Sequence, residues 1–394
     1  MKYAIIIPDG AADYPLDVFD GKSVIEAAVT PNMDKISSEG KQGIVLTVPA
    51  GMTPGSDVAM MSLLGYDPLT CYSGRAPLEA AAMDIPLGPN DWVFRCNLVT
   101  IADKRMADHS AGHICDKEAA TLITELAAQL DAGHIHLHQG LSYRHLCVIN
   151  GILFKVKTTP PHDIIGKKIS KHLPHGKNAD VLIEIMDRSE QLFANHDINK
   201  VRMDLGENPV SRVWLWGQGQ KAVLERFSTR FGLNGAAITA VDLVKGIAKL
   251  IGFDLIAVKG ATGYFNTNYK GKGAAAIKAL KDHDIVLVHV EAPDEAGHSG
   301  NAEQKKAAVE MIDKHIVGPV HEALKQYDDY RILVMPDHPT PVETRAHSGD
   351  PVPFAMAGKS IRGVLQKPFC EKNAYESGFR VENGCEMMEY FVKT

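Results

Sequence analysis

Cysteine pairs, long apolar runs and blocks of like charge are all missing from this sequence, and each absence removes a class of protein. The six cysteines, Cys71, Cys96, Cys115, Cys147, Cys370 and Cys385, stand far apart with no CxxC pair. That argues against a disulfide framework and against a thiolate zinc site, and leaves reduced thiols of a cytoplasmic protein as the expectation. No stretch approaches the ~18 apolar residues that a membrane span needs, and the apolar run in MKYAIIIPDG is too short for a signal peptide. The 42 Lys and Arg are scattered among 48 Asp and Glu, for a net charge of −6. Neither a nucleic-acid footprint nor a membrane-facing basic helix is expected. The sequence has no internal repeat and no low-complexity tract. It also lacks a P-loop: in DGKSVIEAA the Gly-Lys-Ser opens a helix, but the position that must be glycine is Leu16.

What is present is an α/β pattern in 394 residues of 45% hydrophobic composition, enough for about two domains. Short continuous apolar runs, YAIII (3–7), GIVLTV (43–48), DLIAVKG (254–260), DIVLVHV (284–290) and YRILVM (330–335), suggest parallel strands covered on both faces. Ser23 with Glu26 matches a capping box, and residues 301–327 carry helical spacing with a Gly-Pro break at 318 and 319. The middle of the chain is more polar and punctuated. It is read as a smaller α+β domain, residues 98–208, inserted into a core of residues 1–97 and 209–394. The linkers near 95–100 and 205–210 are the expected hinges.

Three of the apolar runs end alike. IIIPDG delivers Asp9, VHVEAPDEAGH delivers Asp294 and then His298, and LVMPDHPTP delivers Asp337 and His338. Ligands of open parallel sheets bind beyond the carboxyl ends of the strands, so these acids are expected to converge. One Asp after a strand is commonly a turn or cap residue; three, two with a nearby His, point to divalent-metal ligands. Asp294 and His298, four apart, face one way on a helical turn. Adjacent Asp337 and His338 are expected to point apart and serve different ions. His347, in TRAHSGDPVPF, is close enough in sequence to fold back over the site. The prolines of PDHPTP pre-position the ligands by removing backbone freedom. Ser56, in GSD, opens a Met-rich helix, where N–H groups favour phosphate oxygens; a metal that lowers its hydroxyl pKa makes it a nucleophile. His134, His136 and His138 of GHIHLHQG share one strand face and form a rival metal site. Trp214 and Trp216 of VWLWGQG are expected in a core strand.

IPDG, TPGSDVA with LLGYDP, SGRAPLEA, SYRHL, PPHD, AVDLVKGIA, GATGYFNTNYKGK, EAPDEAGH and MPDHPTP span nearly the whole chain. Together they resemble the archaeal-type 2,3-bisphosphoglycerate-independent phosphoglycerate mutases of the alkaline phosphatase superfamily. The resemblance implies an alkaline-phosphatase-like core sheet with helices on both faces and an inserted α+β cap. It implies two divalent ions, manganese first, with zinc or magnesium as alternatives. Asp294, His298 and His347 would hold one ion; Asp9, Ser56, Asp337 and His338 would hold the other, with Ser56 phosphorylated in turnover. It further implies a cap that closes over a small phosphorylated hydroxy acid, Arg144 of SYRHL gripping the acid and Lys245 of DLVKGIA near the phosphoryl group. His162 of PPHD and Asp108 are further candidate substrate contacts. Where archaeal members carry arginines, MADHSAGHI has Asp108, His109, Ser110 and His113. The implied reaction interconverts 3- and 2-phosphoglycerate. A homoserine kinase, a metal-dependent phosphatase and a binding protein without turnover are the alternatives.

Overall fold

A computed structural model describes residues 1–130, 133–363 and 365–393. In chain order its strands are β1 (Lys2–Pro8), β2 (Lys41–Val45), β3 (Trp92–Ala102), β4 (Arg105–Asp108), β5 (Ile135–His138), β6 (Arg144–Ile149), β7 (Lys155–Lys157), β8 (His175–Lys177), β9 (Arg212–Gln220), β10 (Gly235–Ile238), β11 (Asp254–Leu255), β12 (Ile285–Val290), β13 (Tyr330–Val334), β14 (Val352–Gly358) and β15 (Arg380–Val381). The chain divides into two compact units, Met1–Tyr72 with Val223–Thr394, and Ser73–Ala222.

The first unit is built on an eight-stranded sheet in the order β11-β10-β12-β1-β13-β14-β2-β15. Strands β11, β10, β12, β1 and β13 are parallel. Tyr3–Pro8, all of β12 and all of β13 are buried. Since alternate side chains point to opposite faces, burial of every residue means that both faces are covered, which is why these strands read as unbroken apolar runs. β1 lies between β12 and β13, with Pro8 opposite Val290 and Ile6 opposite Val334. The segments leaving the three strands therefore emerge side by side. β14, absent from the sequence reading, runs antiparallel between β13 and β2.

The expected helix signals have local counterparts. The Ser23 hydroxyl accepts from Glu26 N at 3.1 Å. The Gly-Pro pair does not break the later helix: Ala302–Ile312 continues through a π turn, Asp313–Val317, into Gly318–Leu324. The widened turn ahead of Pro319 takes up its missing N–H.

The second unit is α+β, with β3 at its centre. β3 pairs antiparallel with β6 over Trp92–Asn97 and with β9 over Trp92–Val99, while β5 lies beyond β6. Leu122 and Leu126 of helix Asp116–Gln129 and Leu182 and Met186 of helix Ala179–Phe193 pack into a core with Phe94, Trp214 and Trp216. A smaller α+β insert is present, spanning Ser73–Ala222 where the limits 98–208 are expected. Residue 98 lies inside β3, bonded on both sides, and Val210 is held by the Asn199 side chain. Long-range strand pairing, rather than the shift in composition, sets the boundary. No helix among the described residues is long and apolar enough to cross a membrane.

Candidate functional site

Asp9 follows β1, Asp294 and His298 sit on helix Ala292–Ser299 after β12, and Asp337 and His338 follow β13. Ser56 is the first residue of helix Ser56–Leu63, as expected of GSD. These residues meet. Ser56 Oγ lies 3.4 Å from each Asp9 carboxylate oxygen and 3.2 Å from His338 Nε2. Asp294 Oδ2 is 3.3 Å from His298 Nε2, Asp294 Oδ1 is 3.4 Å from His347 Nε2, and the two imidazole nitrogens are 2.9 Å apart. Among the described residues, three groups have ligand atoms all within 4.8 Å of one another: Asp294, His298 and His347; Asp9, His289 and Asp337; Asp9, Asp294 and His338.

Asp337 and His338 do not point apart. His338 Nε2 is 3.6 Å from Asp337 Oδ2, and both face Asp9. Strand alternation ends with β13 at Val334, so adjacent residues in the following bend can share a side. Asp337 Oδ1 accepts from Gly10 N and His338 N, which ties this bend to the turn after β1.

The electrostatics reflect three carboxylates in one buried space. Burial and the neighbouring Asp337 and Asp294 push the Asp9 carboxyl well above its usual range. Burial opposes ionisation of Asp294, but hydrogen bonds from His298 and His347 hold it well below that range. The bond to Asp294 raises His298 to about 9. Divalent ions suit these residues: the donors are carboxylate oxygens and imidazole nitrogens, and Asp337 Oδ2 and His289 Nε2 are buried without a hydrogen bond. His289 Nε2 lies 3.2 Å from Asp9 Oδ2 but is misaligned for one.

Sequence reasoning missed His289, whose signal was there: it is the sole polar residue of IVLVHV, at the end of an otherwise apolar strand. Burial lowers it to about 4. Lys272, within helix Tyr269–Ala279, was missed as well. Fully buried, it donates to the His289 carbonyl at 2.9 Å, and burial lowers it to about 8. Thr340 and Lys305, both completely buried beside the site, carried no sequence signal at all.

The remaining candidates make contacts within their own units. Lys245 pairs with Asp242 on its own helix at 2.8 Å. In the second unit Arg144 is exposed at the start of β6, its guanidinium 5.4 Å from the Tyr143 ring. The Tyr143 ring is 5.7 Å from His109, which is 6.1 Å from His162. Both Asp108 oxygens are occupied, accepting from Ser110 N and Oγ and Gly112 N of its own loop and from Asn208 Nδ2. These bonds outweigh partial burial and bring its pKa to about 2. The carboxylate thus organises the loop that carries His109 and His113. The rival site is not assembled: His134, His136 and His138 form none of the metal-competent groups found among the described residues. Trp214 and Trp216 are core residues of β9, as expected.

Known proteins match this chain along its length. The sequence model of 2,3-bisphosphoglycerate-independent phosphoglycerate mutase matches residues 37–199. The 2,3-bisphosphoglycerate-independent phosphoglycerate mutase of Methanothrix thermoacetophila is 46% identical over 393 residues, covering 100% of both chains. A Pyrococcus horikoshii protein of known structure superposes with a TM-score of 0.84 at 30% identity, over 99% of this chain and 96% of that one. The fold is also that of the cofactor-independent phosphoglycerate mutase from Thermoplasma acidophilum, with a TM-score of 0.69 at 24% identity over 100% and 99% of the two chains. Identity of this degree over the full length places the chain in the 2,3-bisphosphoglycerate-independent phosphoglycerate mutase family, a family of isomerases that act as intramolecular phosphotransferases.

Proposed function

We propose that the chain interconverts 3-phosphoglycerate and 2-phosphoglycerate in the cytoplasm, as a step of glycolysis and gluconeogenesis, through a phosphoserine at Ser56. The observation that carries this reading is the Ser56 hydroxyl at a helix start, within 3.4 Å of Asp9 and 3.2 Å of His338, inside a cluster of metal-type donors. Asp294, His298 and His347 would hold one divalent ion and Asp9, Ser56, Asp337 and His338 the other, with His289 beside them. Manganese is our first choice, ahead of zinc or magnesium. Bound there, the ions would lower the pKa of the serine hydroxyl and neutralise phosphoryl charge.

Ser56 Oγ attacks the substrate phosphorus, the glycerate oxygen leaves and takes up a proton, and a phosphoserine forms. The glycerate turns within its pocket, its other hydroxyl attacks the same phosphorus, and Ser56 is released. Asp9, with both carboxylate oxygens 3.4 Å from Ser56 Oγ, is the acceptor at hand for the serine proton. Arg144, His162 and Lys245 would contact the substrate, with Asp108 fixing the loop that carries His109. Arg144 is suited to a carboxylate because its planar fork matches it in a bidentate way.

An enolase-coupled assay on manganese-loaded protein tests this. Turnover of 3-phosphoglycerate is expected in wild type and is lost in Ser56→Ala. No turnover there, with phosphorylation of homoserine from ATP or simple release of phosphate, would replace the mutase reading with a kinase or a phosphatase.

A further inference from the structure

Thr340 lies completely buried in the turn PDHPTP, against one residue of each candidate ligand set, Asp294 and His338. Its Oγ1 is in close hydrogen-bond contact with Asp294 Oδ1 and 3.3 Å from His338 Nδ1. A threonine hydroxyl has one hydrogen to give, while an ionised carboxylate only accepts. The hydrogen therefore goes to Asp294, and the same oxygen accepts from His338, which requires the imidazole proton on Nδ1. The Pro339 carbonyl, 3.4 Å from Nδ1, can likewise only accept. Nε2 is left bare, and Nε2 is the atom that faces Ser56 Oγ at 3.2 Å and Asp9 Oδ1 at 3.5 Å. An imidazole nitrogen without hydrogen is the form that binds a metal or accepts from a hydroxyl.

The surroundings hold Thr340 in this pose. Lys305 Nζ donates to its carbonyl at 2.8 Å. A Cβ on Gly297 would come within 2.4 Å of that carbonyl oxygen, and one on Gly10 within 2.7 Å of Oγ1 and 2.5 Å of Asp294 Oδ1. Only glycines on both sides leave room for the hydroxyl bridge.

We propose that Thr340 is a positioning residue whose hydroxyl fixes His338 in the Nδ1–H tautomer and orients Asp294 at the same time, so that one side chain sets ligands of both ions. The inference rests on the two-ion reading above. Second partners of this kind fix tautomer and ring orientation, and their loss typically weakens metal binding about 10–100-fold.

Long-range nitrogen–proton NMR on the 15N-labelled, metal-free full chain reads the tautomer directly, with His338→Gln assigning the signals. Calorimetric titration with Mn²⁺ reads affinity in parallel. Wild type and Thr340→Ser are expected to carry the proton on Nδ1. Thr340→Val, which keeps only the longer contact to the Pro339 carbonyl, is expected to weaken that preference and to bind at least one Mn²⁺ about 10–100-fold more weakly. Three results would each overturn the proposal: an Nε2–H tautomer in wild type, a valine variant with wild-type tautomer and affinity, or a serine variant as weak as the valine one. If wild type takes up no ion, the two-ion reading falls, and the wild-type tautomer still decides the role of the hydroxyl.

Discussion

Lys305 should be among the most destabilising positions to change, and the structure gives the size of the effect. Its Nζ is fully buried and donates to Asp13 Oδ2 at 2.7 Å, Ala12 O at 3.2 Å and Thr340 O at 2.8 Å. Lys305→Met keeps most of the volume but removes one charge of a buried pair and leaves two carbonyls unpaired. Breaking such a pair from one side costs about 3–5 kcal/mol. Asp13 keeps donors from Tyr14 N at 2.9 Å and Val342 N at 3.2 Å, so the lower part of that range, about 3–4 kcal/mol, is expected. Asp13→Asn should cost less, because its amide still accepts from the same backbone. The double variant should be more stable than the sum of the two by about 1–2 kcal/mol, since the uncompensated carboxylate is gone. All three tryptophans, Trp92, Trp214 and Trp216, lie in the second unit. Unfolding of the first unit is therefore followed in urea by far-UV circular dichroism, and by hydrogen exchange in β1 and β13. A loss below about 1 kcal/mol in Lys305→Met, or strict additivity in the cycle, would refute the claim that this pair fastens the turns after β1 and β13.

Other expectations follow from single contacts. Gly10 has φ +62°, and a Cβ there would come 2.5 Å from Asp294 Oδ1; Gly10→Ala should cut ion affinity at least about tenfold with an unchanged far-UV spectrum, and full metal content would contradict it. After chelation and reloading, Asp337→Asn and His298→Ala should each retain less metal than wild type and lose turnover; stoichiometric metal with full activity in both would sink the ligand assignment. Burial lowers His145 to about 4, with Nδ1 accepting from Gly140 N at 3.1 Å. The unfolded chain then binds the extra proton between about pH 6.5 and 4, so stability falls as pH falls through that window, by about 2 kcal/mol at pH 5. His145→Asn, which keeps an acceptor for Gly140, should reduce that slope in tryptophan-monitored urea unfolding, the remainder coming from His109, His138 and His162, which burial also lowers; an equal slope in both proteins would show that His145 does not contribute.

Much of the site was legible because its parts obey local rules. Asp294 and His298 follow helical spacing, Ser56 follows helix-start chemistry, and the acids stand where parallel strands end. Their convergence depends on a non-local fact that the sequence does not state, the pairing of β1 with both β12 and β13. Asp337 and His338 were misjudged because strand alternation was extended past the end of β13. The rival His134, His136 and His138 failed for the opposite reason: their periodicity suits a metal, but nothing in β5 brings their nitrogens together.

The sequence by itself determined the apolar runs that must be buried strands, the capped helices, and the acid, imidazole and hydroxyl groups placed just beyond those strands. These are consequences of backbone periodicity and residue chemistry within a few positions. Only the tertiary structure decided that β3 pairs with both β6 and β9 in the second unit, that His289 joins Asp9 and Asp337, and that Thr340 spans Asp294 and His338 over a salt-bridged Lys305. All but the Thr340–His338 contact join residues tens to hundreds of positions apart, as Lys305 and Asp13 are. A hydrogen bond has no period along a chain; it exists only once packing has fixed which atoms lie within about 3 Å of one another.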